Sequence, residues 1–284
     1  MEYKITFQQG FEDICKQEIK KIIGKNPRKA KGFFKINLDE KELLKLMFFA
    51  RSAKEIFASE NEENKLVVAG QKRTYIVKNN PPNIDCNLAY CLVNYSGFKK
   101  KQTLLDPLCC GSKILIEAWH YANKIPNGKF MLNTILQSEF FKSIDEKEKS
   151  ILIANWSETK NNELEIYGMD SYTGNIADSK VNAQSADAGI KLSCRSIDWV
   201  DCVFDEKSVD AIITILPSGS GQSTDVLYRE VLSQAEYCLK KNGTVVLVSR
   251  RPDAVEKYAK LFSFKITDKR DLGNLGIALK IKRI

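Results

Sequence analysis

Thr103-Leu104-Leu105-Asp106-Pro107-Leu108-Cys109-Cys110-Gly111-Ser112-Lys113 is the stretch on which the architecture turns. A short strand runs into an acid, a turn follows, and a helical pattern extends from about Ser112 to Tyr121. The same grammar recurs downstream. Leu164–Asp170 is a strand ending on an acid, 175–188 a helix, and Lys191–Ile197 a third strand with Asp198 just past its end. Val209–Leu216 is a near-continuous apolar run, as a strand covered on both faces requires. Helix 226–239, turn Asn242-Gly243, strand 244–248, helix 254–261 and a final pair, 263–267 and 276–282, complete the series. Alternation of this kind demands a mainly parallel sheet with helices on both faces and a closing antiparallel strand. Ligands in such folds bind at the C-terminal ends of the strands. That rule places Asp106, Asp170, Asp198 and the loop after Leu216 along one rim.

Upstream lies a small α+β unit, expected over residues 1–60. Tyr3, Ile5 and Phe7 alternate as a strand, Phe11 to Ile23 carry a helical apolar face stopped by Gly24, and Phe34, Ile36 and Leu38 alternate again. Asp39 stands three residues before Glu42, the spacing of a capping box. The polar run from Ser59 to Asn64 reads as a linker or exposed loop. Residues 61–101 then form a linker strand and a helix leading into the core domain, 102–284, which carries an insertion at 124–160.

Composition narrows the chemistry. The 284 residues are 43% hydrophobic and 10% aromatic, enough for a full core, and 44 basic against 36 acidic residues give a net charge of +8. That is a modest bias toward a polyanionic partner. No apolar run approaches the ~20 residues that span a bilayer, and Met1-Glu2-Tyr3-Lys4 lacks the start of a signal peptide, so a cytoplasmic protein is expected. Eight cysteines without a CxxC pair read as buried thiols rather than a zinc ribbon, and no metal is expected. His120 is the single histidine, in a helical stretch, and is assigned a structural or surface role; a Ser-His-Asp triad has no material.

Two nucleotide folds fail. There is no GxxxxGK[ST], and the turn at 108–113 holds one glycine where a dinucleotide fingerprint needs three, with the next strand-end acid far too late. Three carboxylates at successive strand ends suit S-adenosylmethionine, whose ammonium, ribose diol and adenine amino group all donate hydrogen bonds. Any one of these acids could instead be an ordinary cap or turn residue. Three in register favour the cofactor.

The segment Asp106-Pro107-Leu108-Cys109-Cys110-Gly111-Ser112-Lys113-Ile114-Leu115-Ile116-Glu117-Ala118 resembles the D-P-x-C-G-S-G-T-x-x-I-E-A signature of the THUMP-associated RNA methyltransferases. The resemblance continues in Lys72-Arg73-Thr74-Tyr75 with Pro82, in Ile125-Pro126-Asn127-Gly128, in Gly168-Met169-Asp170 with Val181-Asn182-Ala183, and in Arg51-Ser52-Ala53 of the N-terminal unit. It implies a class I, Rossmann-like methyltransferase domain with a seven-stranded sheet behind a ferredoxin-like domain. It implies S-adenosylmethionine as cofactor, with Asp106, Cys110, Gly111, Asp170 and Asp198 at its site, and guanine N2 of tRNA or rRNA as target. Lys72, Arg73, Lys99, Lys100 and Lys101 are candidate RNA contacts. A small activator subunit is a further implied partner, with the sheet edge near Lys191–Ile197 as its docking place.

The chain departs from the family in three places. Only a short linker separates Phe57 from Leu66, leaving no room for a THUMP domain, so the RNA grip is absent or belongs to another chain. Cys110-Gly111-Ser112 stands where the family has G-S-G, adding two Cβ atoms to the loop. Lys113 there either meets the methionine carboxylate or blocks the site. Ile215-Leu216-Pro217-Ser218-Gly219 stands where the family places a polar acceptor, a proline and a stacking aromatic; Ile215 cannot accept and Ser218 cannot stack. Pro217 and Ser218 mark the degraded catalytic motif, unless a shift lets Ser218, Ser220 or Ser223 supply the polar group. Three functions stay open at this point: an RNA guanine-N2 methyltransferase, a catalytically inactive RNA-binding or scaffolding subunit, and a methyltransferase for a small molecule or protein.

Overall fold

The computed structural model describes residues 1–60, 63–69, 73–79, 84–131, 135, 144–145, 147, 163–219 and 221–284. The chain divides into two compact units, residues 1–74 with 85–91 and 123–160, and residues 75–84 with 92–122 and 161–284.

The first unit is built on a five-stranded antiparallel sheet in the order β2-β3-β1-β4-β5, from β1 (Glu2–Phe7), β2 (Arg28–Ala30), β3 (Phe33–Asn37), β4 (Ala53–Glu60) and β5 (Glu63–Ala69). Helices α1 (Glu12–Ile23) and α2 (Glu40–Phe49) follow β1 and β3, so the first four strands form two interleaved βαβ units of ferredoxin type. Alternation in β1 and β3 buries Tyr3, Ile5, Phe34 and Ile36 on one face, where Leu43, Phe48 and Ile19 from the helices complete the core. Gly24 ends α1 at φ +76°, and the Asp39–Glu42 capping box opens α2.

Two strands of this sheet differ from expectation. β2 is basic and solvent-facing, with no apolar alternation to announce it. The stretch read as a linker closes a hairpin instead: Ser59 pairs with Asn64 and Glu60 with Glu63, so β5 extends the sheet past residue 60. Backbone pairing holds these residues, which is why their polar side chains misled.

The second unit carries a seven-stranded sheet in the order β11-β12-β10-β9-β6-β7-β8. Its strands are β6 (Leu104–Asp106), β7 (Ile166–Asp170), β8 (Lys191–Cys194), β9 (Val209–Ile215), β10 (Leu239–Ser249), β11 (Phe264–Asp271) and β12 (Ile277–Arg283). β6 to β10 pair in parallel, and β12 runs antiparallel to both β10 and β11. Helix α3 (Cys86–Ser96) precedes β6 and divides between the two units after Cys91, while α4 (Lys113–Asn123), α5 (Thr173–Ser185), α6 (Gln222–Cys238) and α7 (Pro252–Leu261) alternate with the strands. β9 is buried over Ala211–Thr214, so both faces of the sheet are covered there. Asn242-Gly243, expected as a turn, lies within β10, whose register against β9 shifts between Leu239 and Thr244.

Strand order reverses between β6 and β9. The chain builds outward through β7 and β8, returns, and builds the other way through β9 and β10. Chain crossovers leave on opposite faces at such a reversal, opening a crevice at the carboxyl ends of the two central strands. Asp106 and Ile215 terminate those strands.

Candidate functional site at the carboxyl rim of the parallel sheet

Residues 109–112, between β6 and α4, are held from several directions. Cys109 N donates to Met169 O at 2.9 Å, and Ser112 N to Cys109 O at 2.7 Å. Cys110 N donates to Asp170 Oδ2 at 3.0 Å, while the Ser179 hydroxyl donates to Cys110 O. Asn182 Nδ2 donates to Gly111 O at 3.0 Å and to Lys78 O at 2.9 Å; its Oδ1 accepts from Val77 N at 2.9 Å and Lys78 N at 2.8 Å. One fully buried amide therefore saturates its bonding capacity and clips segment 77–78 to this loop. Cys110 and Ser112 adopt φ +49° and +60°, the left-handed region that glycine occupies freely. A side chain there costs roughly 1–2 kcal/mol per residue. The backbone keeps a glycine-type path although two of its residues are not glycine.

Asp106 is fully buried, and burial pushes its carboxyl up to about 7, against the hydrogen bond from Leu108 N; the nearby Asp170 charge adds to the rise. Asp170 caps the next turn, with Oδ1 accepting from Tyr172 N at 2.9 Å and Asn175 Nδ2 at 3.1 Å. Burial raises the Cys110 thiol to about 11, so it is not a nucleophile at neutral pH. A pocket opens beside these groups, lined by Asp106, Leu108, Cys110, Gly111, Lys113 and Ile215. Lys113 is committed there, donating to Asn79 Oδ1 and to Ile84 O at 3.0 Å.

The structure brings Asp106, Asp170, Cys110 and Gly111 together. Asp198 lies beyond the strand end: β8 stops at Cys194, and Asp198 sits exposed in a 3-10 turn (Ile197–Cys202), accepting from the Ser196 hydroxyl. No hydrogen bond or ion pair joins it to the other two acids among the described residues. Pro217 and Ser218 are exposed after β9, and Tyr228 Oη donates to Pro217 O at 3.0 Å. Lys72, Pro82 and Ser220 lie outside the described residues.

The expected RNA contacts need correction. Arg73 is buried and donates to Arg51 O at 2.8 Å, so its charge serves the interior of the first unit. Lys99, Lys100 and Lys101 precede β6 by a few residues and so lie at the amino end of a parallel strand, opposite the carboxyl rim. The cysteine expectation also needs correction, because Cys194 and Cys202 are exposed. Of the two roles left open for His120, the structural one holds: it is buried, with Nε2 2.9 Å from Ala186 O. Neither the clip made by Asn182 nor the Ser179 bond was foreseen. Asparagine and serine are indifferent helix formers, and their place inside α5 was the signal available.

Residues 73–279 match the RMKL-like, methyltransferase domain family. The chain belongs to that family. A tRNA (guanine(6)-N2)-methyltransferase of Methanocaldococcus jannaschii is 30% identical over 195 residues, 64% of this chain and 48% of that protein. The chain spans about half the length of the curated relatives it matches. Among solved structures, SMU.472, a putative methyltransferase complexed with SAH, superposes with a TM-score of 0.78 at 16% identity over 99% of this chain and 97% of that one. TrmN from Thermus thermophilus gives 0.73 at 14% identity over 100% and 99%. These likenesses establish the class I methyltransferase fold. Among the described residues, no helix is long and apolar enough to cross a membrane.

Proposed function

We propose that this chain methylates the exocyclic N2 of a guanine in tRNA, using S-adenosylmethionine. The observation that carries the reading is the Asp106–Asp170 pair, gathered by a left-handed loop at the strand reversal of a family-typical sheet. The acid chemistry fits the cofactor. Asp106, held partly protonated at neutral pH by burial, becomes a strong acceptor once an ammonium group compensates its charge, and Asp170, which accepts from Cys110 N in the loop, is the acceptor for the ribose hydroxyls. Asp198 is the candidate partner for the adenine amino group. The cofactor supplies an activated methyl group.

The protein's remaining task is to bring the guanine amine in line with that methyl group, and orientation carries much of the catalysis in such a transfer. Ile215 at the pocket wall offers no acceptor, so the amine must be held by loop backbone or by Ser218. The relatives named for tRNA guanine methylation support tRNA over rRNA as substrate. With a β-hairpin where a THUMP domain would be inserted, grip on the rest of the RNA falls to other surfaces or to a partner chain. Cysteines present as thiols suit the reducing cytoplasm.

Transfer of labelled methyl groups from S-adenosylmethionine to unmodified tRNA, followed by nucleoside analysis, tests this. N2-methylguanosine is the expected product, and Ile215→Asn with Ser218→Tyr is expected to raise turnover. Tight cofactor and RNA binding without any methylated nucleoside would instead indicate a scaffolding subunit.

A further inference from the structure

β10 ends at Ser249, and Arg250 and Arg251 follow at the same carboxyl rim as Asp106 and Pro217. The backbone here is fixed from two sides. Gly276 has φ +98°, and a Cβ on it would lie 2.3 Å from Ser249 O and 2.9 Å from Arg250 N, so the 249–250 peptide packs directly on a glycine. On the other side runs a chain of hydrogen bonds. Arg251 N donates to Ser249 Oγ at 2.8 Å, Ser249 Oγ lies 2.8 Å from Tyr228 Oη, and Tyr228 Oη donates to Pro217 O at 3.0 Å. Tyr228 spends its single proton on Pro217, so the Ser249 hydroxyl must be the donor to Tyr228. The chain has one direction and couples the arginine turn to the loop after β9. Leu216 N, donating to Val248 O at 2.9 Å, adds a second tie.

The two arginines differ in occupation. Arg251 lies over the Tyr228 ring at 5.5 Å and donates from Nη2 to Asp225 Oδ1 at 3.3 Å, an acid also held by the Tyr258 hydroxyl. Arg250 is exposed, and its side chain makes no hydrogen bond or ion pair among the described residues. A guanidinium on a pinned backbone, two strands from Asp106, three from Asp170 and next to the loop after β9, is equipped for an anion on the substrate side. Guanidinium matches phosphate oxygens by paired donation, and phosphate contacts set the register of a nucleic acid on its protein.

We propose that Arg250 binds a backbone phosphate of the RNA strand beside the target nucleotide. The assignment rests on the functional reading above and names a cation for it at the carboxyl rim, since Arg73 is buried and Lys99–Lys101 lie at the far end of the sheet.

Fluorescence anisotropy of labelled tRNA, titrated at several salt concentrations against wild type, Arg250→Ala and Arg250→Lys, tests it, with calorimetry for S-adenosylmethionine alongside. Arg250→Ala should weaken tRNA binding about five- to tenfold and lower the salt slope by about 1. Arg250→Lys should restore the slope, and cofactor affinity should stay within about twofold throughout. Wild-type tRNA binding with an unchanged slope in Arg250→Ala overturns the assignment alone. A wild type that binds neither tRNA nor cofactor overturns the functional reading with it. A loss that Arg250→Lys fails to restore, accompanied by lower stability in urea, marks a structural role and also overturns the assignment.

Discussion

The two loops that face each other across the strand reversal are built on opposite plans. Residues 109–112, after β6, are clamped by Asp170, Ser179, Asn182 and Met169, and two of them sit in conformations that a side chain disfavours. Residues 217–219, after β9, are exposed and tied through one carbonyl, that of Pro217. The first loop follows a glycine-type backbone path at residues that are not glycine; the second offers neither the polar acceptor nor the aromatic that the sequence resemblance implies, while its backbone is anchored at Pro217. A ligand held by backbone and carboxylates depends less on such side chains than a base held by stacking. The contrast therefore predicts cofactor binding more robust than target-base binding.

The contrast breaks most completely at Asn182. Asn182→Ala should leave the buried Gly111 O and the partly exposed backbone groups of Val77 and Lys78 without their amide partner and cost about 2–3 kcal/mol in urea unfolding, because a buried orphaned group costs roughly 1–3 kcal/mol while water reaches the others. Ser218→Ala on the facing loop should change stability by less than about 0.5 kcal/mol. Equal effects of the two would erase the distinction.

Asp106 should produce an effect of similar size, visible as pH dependence. Its folded-state pKa of about 7 exceeds the ordinary aspartate value of 3.8, so the folded protein binds the proton more tightly than the unfolded chain. The resulting stability is complete below pH ~4 and is lost as pH rises to ~7, by up to roughly 4 kcal/mol at 1.4 kcal/mol per pKa unit. Asp106→Asn should flatten this decline and raise the urea midpoint at pH 8 relative to wild type. Parallel pH profiles of the two proteins would contradict the buried-acid assignment.

A smaller change, and a gain, should come from restoring glycine. Ser112→Gly and Cys110→Gly each relieve a left-handed side chain but loosen the unfolded chain, leaving a net gain of about 0.5–1 kcal/mol. Thermal denaturation reads this directly, and destabilisation by either substitution would contradict the strain.

Much of this rim was legible in the sequence, because an acid ending an apolar strand is a local pattern. Asp106 and Asp170 followed from it once strand direction was known. Asp198 lies past the strand instead of at its end, since β8 stops at Cys194, short of the 191–197 stretch, and the chain turns before reaching the acid. Arg73 and Lys99–Lys101 were misplaced for separate physical reasons. Burial of Arg73 depends on a carbonyl twenty-two residues away, which no local pattern encodes. The lysines precede a parallel strand, so their proximity in sequence to Asp106 becomes separation across the sheet. In the first unit, β2 escaped notice because hydrogen bonding rather than apolar burial defines it.

Calorimetric titration with S-adenosylmethionine, of wild type and of Asp170→Ala, probes the proposed cofactor site most directly. The geometry predicts saturable binding by wild type, weakened at least tenfold when the Asp170 carboxylate is removed, with the fold retained by circular dichroism. Absence of any binding heat at millimolar ligand, or an affinity indifferent to Asp170→Ala, would contradict it.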